Sequence, residues 1–487
     1  MPQLSQLIAP FCLLMAFVAC SKPPMQEEPT PFHPSPPNII YILVDDLGYG
    51  DLSCYGQTKF STPHIDQLAR EGIRFSRHYA GSTVCAPSRA SLMTGFHTGH
   101  SPIRGNREVR PMGQMPLADS IRTVAEYLKD LGYTTGLIGK WGLGGPGSEG
   151  HPRNQGFDHF YGYLCQRHAH NYYPAFLFRD TFRQELPNVM PDPPRPDGAG
   201  QAIEKNVYAH ELLIGDALEF IGHHQGTRFF MALTLTIPHA NNEAGDAGME
   251  VPDLGAFDTT DWPTPEKGKA AMIKRLDQGI GHIMTKLKNA GIDDQTLVIF
   301  TSDNGPHAEG GVDPQFLQSS GPFRGIKRDL YEGGIRVPMI ARWPGIIEQG
   351  RTSGHVSAFW DVLPTLIDIG GGEIPSQTDG ISFLPSLTQR GTQAQHEHLY
   401  WEFHSGKPAH HKEAVLSWPW KMVHTDFQAD GQDIYELYNL ETDSTEQVDL
   451  IRQQPDQAQR LKRIMKASHS QDINWPLLAE EHIAAQE

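Results

Sequence analysis

The chain has 487 residues, a formal net charge of -17 and 38% hydrophobic residues. That length allows one large domain with an appendage, or two to three average domains, and its 48 Gly and 38 Pro describe a loop-rich globular protein rather than a fibrous or disordered one. The acidity argues against nucleic acid as a partner and against broad capture of long polyanions, so an anionic substrate has to be drawn in by a local basic pocket.

In chain order, Phe11 to Ala19 is a hydrophobic run too short to span a bilayer and placed where a signal peptide sits, although no Lys or Arg precedes it. It ends Phe17-Val18-Ala19-Cys20-Ser21, which resembles a bacterial lipoprotein cleavage box with Cys20 as the lipidated first residue. A plain signal peptide is the alternative. Residues 1–20 are thus expected to direct export, to the periplasm or to the outer membrane of a bacterium as a lipoprotein anchored at Cys20. Residues 21–37 form a Pro-rich tether that cannot pack a core. Of the five cysteines, Cys54, Cys85 and Cys165 lie beyond this region, with no close pair and no metal-ligand spacing; a Cys54 to Cys165 bridge is conceivable.

Ile39 to Val44 is a continuous apolar run, as in a strand buried on both faces of a parallel sheet, and it stops at Asp45-Asp46. The pattern recurs. Thr134 to Ile138 leads to Gly139-Lys140-Trp141, Phe229 to Ile237 leads to Pro238-His239, and Leu297 to Thr301 leads to Ser302-Asp303-Asn304-Gly305. Helical spacing appears between the runs, over residues 63–71, 120–131, 203–224 and 267–290. This alternation predicts an α/β fold with a mainly parallel sheet whose strand tips meet in one crevice. The stretch 142–201, rich in Gly, Pro, His, Tyr and Arg, is expected to be a substrate-facing rim. After Gly370-Gly371-Gly372 the character changes. Short strands over 398–404, 413–425 and 433–440 and a helix over 457–467 predict a smaller antiparallel sheet with a helix. The expected division is 38–372 and 373–487.

Asp45, Asp46, Asp303 and Asn304 are hard oxygen ligands suited to one Ca²⁺ or Mg²⁺. Singly, each acidic pair is an ordinary turn or cap; following two apolar runs, they ask for a common explanation. Arg89, Lys140, His239 and Lys327 supply cationic or proton-transferring groups. Cys85-Ala86-Pro87-Ser88-Arg89 places a sulfur at a helix start, where anions are favoured. Together these make an anion site suited to a sulfuryl or phosphoryl group.

Cys85-Ala86-Pro87-Ser88-Arg89, with Thr94-Gly95 behind it, resembles the C-x-P-S-R signature of formylglycine-dependent type I sulfatases. Asp45-Asp46-Leu47-Gly48, Gly139-Lys140-Trp141, Ser302-Asp303-Asn304-Gly305, Tyr331-Glu332-Gly333-Gly334 and Glu436-Leu437-Tyr438-Asn439-Leu440 are similar to that family's blocks, in the family's order. The resemblance implies an alkaline-phosphatase-like fold, with 38–372 as the catalytic domain, and the hydrolysis of a sulfate ester. It further implies that a maturation enzyme converts Cys85 to formylglycine, that Asp45, Asp46, Asp303, Asn304 and residue 85 bind Ca²⁺, and that Arg89 steadies the nucleophile. Lys140, His239 and Lys327 would bind the sulfate, with His239 or Lys327 protonating the leaving oxygen.

One departure stands out. The family block commonly reads G-K-W-H, and here it reads Gly139-Lys140-Trp141-Gly142. His168 is the first-ranked substitute for the missing base, ahead of His151 and His170, with Asp303 or water as further alternatives. The substrate is expected to be a sulfated saccharide attacked in exo fashion, with Tyr172 and Tyr173 stacking on a ring and Arg167 reading any anionic neighbouring group. Two readings compete: a phosphodiesterase or phosphonate hydrolase of the same superfamily, and an unconverted surface protein that only binds sulfated glycans.

Overall fold

The computed structural model describes residues 35–406, 410–425 and 433–477. The expected signal peptide, the anchor at Cys20 and most of the tether fall outside the described residues. Among those described, no helix is long and apolar enough to cross a membrane, and Cys54, Cys85 and Cys165 are free thiols.

The apolar run after residue 37 is a strand with every residue buried. Its side chains alternate between two cores: Ile40, Ile42 and Val44 face one apolar cluster, and Ile39, Tyr41 and Leu43 face the other. Helices Pro63–Arg70, Ala209–His224 and Thr264–Asn289 supply the first cluster, and Cys85–Thr94, Val124–Asp130 and Val362–Gly370 the second. The sheet is therefore sandwiched, which is why its strands read as unbroken hydrophobic runs.

In chain order the strands of this sheet are β1 (Asn38–Val44), β2 (Ile73–Tyr79), β3 (Thr134–Lys140), β4 (His159–Tyr163), β5 (Phe176–Arg179), β6 (Phe182–Glu185), β7 (Phe229–Leu235), β8 (Thr296–Ser302), β9 (Arg336–Arg342), β10 (Arg351–Ser353) and β11 (Ser357–Ala358). They lie in the order β10-β2-β9-β8-β1-β7-β3-β4-β5-β6, with β11 also on β2. The centre, from β8 through β1, β7 and β3 to β4, is parallel, and β9, β5 and β6 pair antiparallel to their neighbours. Because β8, β1, β7 and β3 run the same way, Ser302, Val44, Leu235 and Lys140 end at one edge of the sheet, and the polar residues after each strand emerge together.

Three strands, β4 to β6, arise within the stretch expected to be loop. The helix expected from Ser120 starts only at Val124, where Thr123 accepts from Glu126 N and the Glu126 carboxylate accepts from Thr123 N, a reciprocal cap that fixes the start. The smaller sheet contains β12 (Leu399–Phe403), β13 (Lys412–Ser417), β14 (Trp420–Thr425) and β15 (Ile434–Asn439), all antiparallel. The single strand expected over 413–425 is thus a hairpin, turned at Trp418-Pro419. Helix Pro455–Ser468 packs on this sheet through Ala458, Leu461 and Met465.

Candidate active site

Asp45 and Asp46 follow β1 directly and are fully buried. Asp46 has φ of 62°, an uncommon conformation for a non-glycine residue, held here by its bonds: its N–H donates to Asp303 Oδ1 at 3.2 Å and its Oδ1 accepts from Asn304 Nδ2 at 2.6 Å. The tips of β1 and β8 are thereby joined. The helix Cys85–Thr94, buried along its whole length, is tied to the same place: Ser88 Oγ donates to Asp303 O at 2.6 Å, and Arg89 grips Asp303 Oδ2 through Nε and Nη2 at 3.1 and 2.8 Å. Arg89 Nη1 also donates to Lys140 O at 2.6 Å, bringing in the end of β3.

The structure gathers nearly every residue expected at the site. Lys140 Nζ lies 2.6 Å from Asp45 Oδ2, and Cys85 Sγ lies 3.3 Å from Asp45 Oδ1. Lys327 Nζ lies 2.8 Å from Asp46 Oδ2 and 3.0 Å from His239 Nε2. His239 Nδ1 sits 2.6 Å from the Ala240 carbonyl oxygen, so Nδ1 carries the proton and Nε2 accepts from the lysine. Burial, reinforced by Lys327, pushes His239 down to about 3, which keeps it neutral. Burial alone would lower Lys327 as well, but Asp46 overrides it and the ammonium is retained.

The acidic groups respond in opposite directions. Burial would raise Asp45, yet Lys140, His239 and Arg89 hold it well below the usual carboxylate range. Asp303 is pushed up to about 7, by burial first and by the Asp45 charge second. Asn304 Oδ1 is buried with no hydrogen-bond partner. Crowded carboxylates beside an orphaned amide oxygen form a hard-oxygen donor set that fits a divalent cation. Cys85 is raised far above an ordinary thiol by burial and then by Asp45, so as a cysteine it is not a thiolate nucleophile.

His307 and Glu309 lie next to this cluster and were not anticipated; with Asp46 they form a second potential ligand set. Lys327 stands in its way, with Nζ 3.3 Å from Glu309 Oε2 and 2.8 Å from Asp46 Oδ2. Both His307 nitrogens are also engaged, Nε2 with Pro238 O at 3.0 Å and Nδ1 with Glu309 N at 3.0 Å. An ammonium thus occupies the position a second metal would need.

A cavity of about 720 Å³ opens over Cys85, His239 and Lys327. Its wall includes Gln166, Arg167 and His170, and its rim includes Arg107, Arg328, His404, His411 and Trp475. The expected base, His168, is not among the lining residues. It is fully buried, packed on Tyr163 and Phe176 at ring distances of 4.9 and 4.4 Å, and pushed down to about 3 by that burial. His170, two residues on, faces the other way: its ring stacks on His239 at 4.7 Å and its Nδ1 lies 3.1 Å from Glu243 Oε2. His151 is buried against Phe160. Tyr172 and Tyr173 are core residues, and Tyr172 OH donates to Thr236 O, so neither offers a face to a sugar. At Gly142, φ is 79° and an added Cβ would come 3.0 Å from Gln166 Cγ, so a side chain there would need a left-handed backbone and a shift of Gln166.

The family model described as "Sulfatase" matches residues 37–372, and one described as "N-sulphoglucosamine sulphohydrolase, C-terminal" matches 324–472. Among curated proteins, arylsulfatase A of Homo sapiens is 34% identical over 390 residues, covering 73% of this chain and 68% of the relative. N-acetylgalactosamine-6-sulfatase of Rattus norvegicus is 32% identical over 377 residues, covering 73% and 66%. The chain spans about two thirds of the length of these relatives. Among solved structures, that of Ps i-CgsB in complex with k-i-k-neocarrahexaose superposes with a TM-score of 0.74 at 25% identity, over 93% of this chain and 97% of that one.

Proposed function

The chain belongs to the type I sulfatase family, and from that premise we propose that it hydrolyses a sulfate ester on a carbohydrate. The observation that carries the reading is the convergence of Cys85, Lys140, His239 and Lys327 on one buried floor beneath an open cavity. Carbohydrate as the substrate class draws support from the relatives, one named for N-acetylgalactosamine-6-sulfate chemistry and one solved with an oligosaccharide.

Formylglycine, formed from Cys85 by a maturation enzyme, supplies a hydrated aldehyde as the nucleophile toward sulfur and so explains why the thiol itself is left unreactive. A divalent cation, Ca²⁺ before Mg²⁺, held by Asp45, Asp46, Asp303, Asn304 and residue 85, supplies charge stabilisation for the sulfuryl oxygens. Arg89 holds Asp303 and the end of β3 in place, which orients residue 85 from behind. Lys140 and Lys327 present cations to the sulfate. Lys327 also carries a proton next to the neutral His239 Nε2, so this pair delivers the proton to the departing alcohol. His170 is the group best placed to act as base where the family's histidine is missing: its Nδ1–H is held by Glu243, which leaves Nε2 to take a proton at the cavity wall.

Export is proposed from the first twenty residues, with Cys20 as the lipid anchor; radiolabelled palmitate incorporated by the intact chain and lost in Cys20→Ala checks the anchor. The division into a catalytic domain, 38–372, and a C-terminal subdomain is proposed on the same footing. A two-metal phosphatase is disfavoured by Lys327, which stands between Asp46 and Glu309, and the phosphodiesterase or phosphonate hydrolase alternative is separated by substrate preference. Matured protein with calcium is expected to release sulfate from aryl sulfate and sulfated sugars; faster turnover of an aryl phosphate diester overturns the reading.

A further inference from the structure

The cavity is meant for an anion, and most of the cations around its rim are already neutralised by the protein. Arg167, expected to read an anionic neighbouring group, is held by Glu243 at 3.2 Å, Glu108 at 3.3 Å and Asp197 at 3.9 Å. Arg328 is paired with Glu309.

Arg107 differs. Among the described residues it has no carboxylate partner; its Nη2 donates to Asn474 O at 3.0 Å and its Nη1 to Asn474 Oδ1 at 3.4 Å, and its guanidinium carbon lies 4.9 Å from the centre of the Trp475 ring. These contacts orient the cation without discharging it. Its support is itself fixed. Trp475 Nε1 donates to Pro102 O at 2.7 Å, and Ser470, at the start of the same segment, accepts from Arg104 at 2.7 and 2.9 Å. Arg104 is fully buried and pairs with Glu402 at 2.8 Å. A buried ion pair therefore anchors the segment that holds, at the mouth of the cavity, a guanidinium with no carboxylate partner among the described residues, in a chain of net charge -17.

We propose that Arg107, positioned by Trp475 and Asn474, is a subsite for a second anionic group on the substrate, next to the sulfate that is cleaved, so that the preferred saccharide carries at least two negative charges. The guanidinium fork suits either a uronate carboxylate or a second sulfate, since both present two oxygens to parallel N–H donors. The proposal rests on the sulfatase reading and names its substrate class.

The test compares kcat/KM of matured protein on three disaccharides that share the cleaved sulfate and differ in the neighbouring sugar: neutral, carboxylated or sulfated. The expected result is a preference of at least tenfold for one charged neighbour, carried by KM and shrinking as salt is raised. Which charged substrate is preferred identifies the carboxylate or the sulfate as the natural group. In Arg107→Gln the ratio of charged to neutral substrate should fall toward one, and in Arg107→Lys it should recover in part. Equal kcat/KM on all three substrates, or a ratio unchanged in Arg107→Gln, overturns the subsite while leaving the sulfatase reading standing. Failure to cleave any of them, or aryl sulfate, overturns the sulfatase reading. Calorimetry on unmatured protein provides an arm that needs no turnover: of the carboxylated and the disulfated disaccharide, at least one should bind at least fivefold more weakly to Arg107→Gln, and equal binding of both overturns the subsite.

Discussion

The floor and the rim of the cavity are built on different plans. The floor is made by four neighbouring strand tips, one buried helix and the loop that carries Lys327, and its residues are 5% exposed or less. Several side chains there are held by two or three partners, as with Arg89 between Asp303 and Lys140 O and Lys327 between Asp46, His239 and Glu309. The rim and wall come from many places in the chain, among them Arg107 and Glu108, Gln166 to His170, Asn242, Arg328, His404 and His411 beside the smaller sheet, and Asn474 and Trp475 in the final described segment. Chemistry common to a family belongs on the rigid floor, where preorganised charges cost no rearrangement. Choice of substrate belongs on the rim, where residues change without disturbing the floor.

Substitutions on the two plans should separate. Cys85→Ala removes a small buried side chain from the floor, so circular dichroism should stay native while sulfate release falls on the order of 10⁴-fold or more, as for loss of a nucleophile. Retained turnover in matured protein would remove residue 85 from the chemistry. Lys327→Ala should lower kcat by about 10²–10³-fold, the usual scale for losing a charge aimed at the transition state; a change in KM alone would make it a binding residue. His170→Ala, on the wall between the two plans, should cost about 10²-fold in steady-state kcat. Stopped-flow traces should then show a burst of alcohol followed by slow turnover, and no burst would return the second step to Asp303 or water. Glu402→Gln strips the partner from Arg104 beneath the rim, and chemical denaturation should report a loss of about 3 kcal/mol. Burial would raise Glu402, but His404, His469 and Arg104 hold it well below its ordinary 4.5, so the stability it contributes is present above pH 4.5 and is lost as pH falls below that value. A wild-type chain that loses no more stability below pH 4.5 than Glu402→Gln would dismiss the clamp.

What could be read from the sequence follows the same division. Asp45-Asp46, Cys85 to Arg89, Lys140 and Asp303-Asn304 are short local blocks, each at the end of an apolar run or the start of a helix, so periodicity and residue type located them. The rim left no such trace. Arg104 meets Glu402 at a separation of 298 residues, and Arg107 meets Asn474 at 367. No local pattern carries contacts that distant. The choice of His168 over His170 failed for a finer reason. Both sit in one turn of 3₁₀ helix, His168–His170, and which of two histidines two residues apart faces the cavity depends on that turn's orientation. Tyr172 and Tyr173 looked like a sugar platform by composition, and the apolar core took them instead. Glu309 went unnoticed because a single glutamate beyond the Asp303-Asn304 block has no motif of its own.

Glycine at position 142 has a consequence for what this part of the site can accept. A histidine placed at 142 would be strained, because the backbone there is left-handed and the new Cβ would lie 3.0 Å from Gln166 Cγ, which would have to give way. A histidine at 142 would need Gln166 and the local turn to change in concert, so the base proposed for this chain is drawn from another part of it.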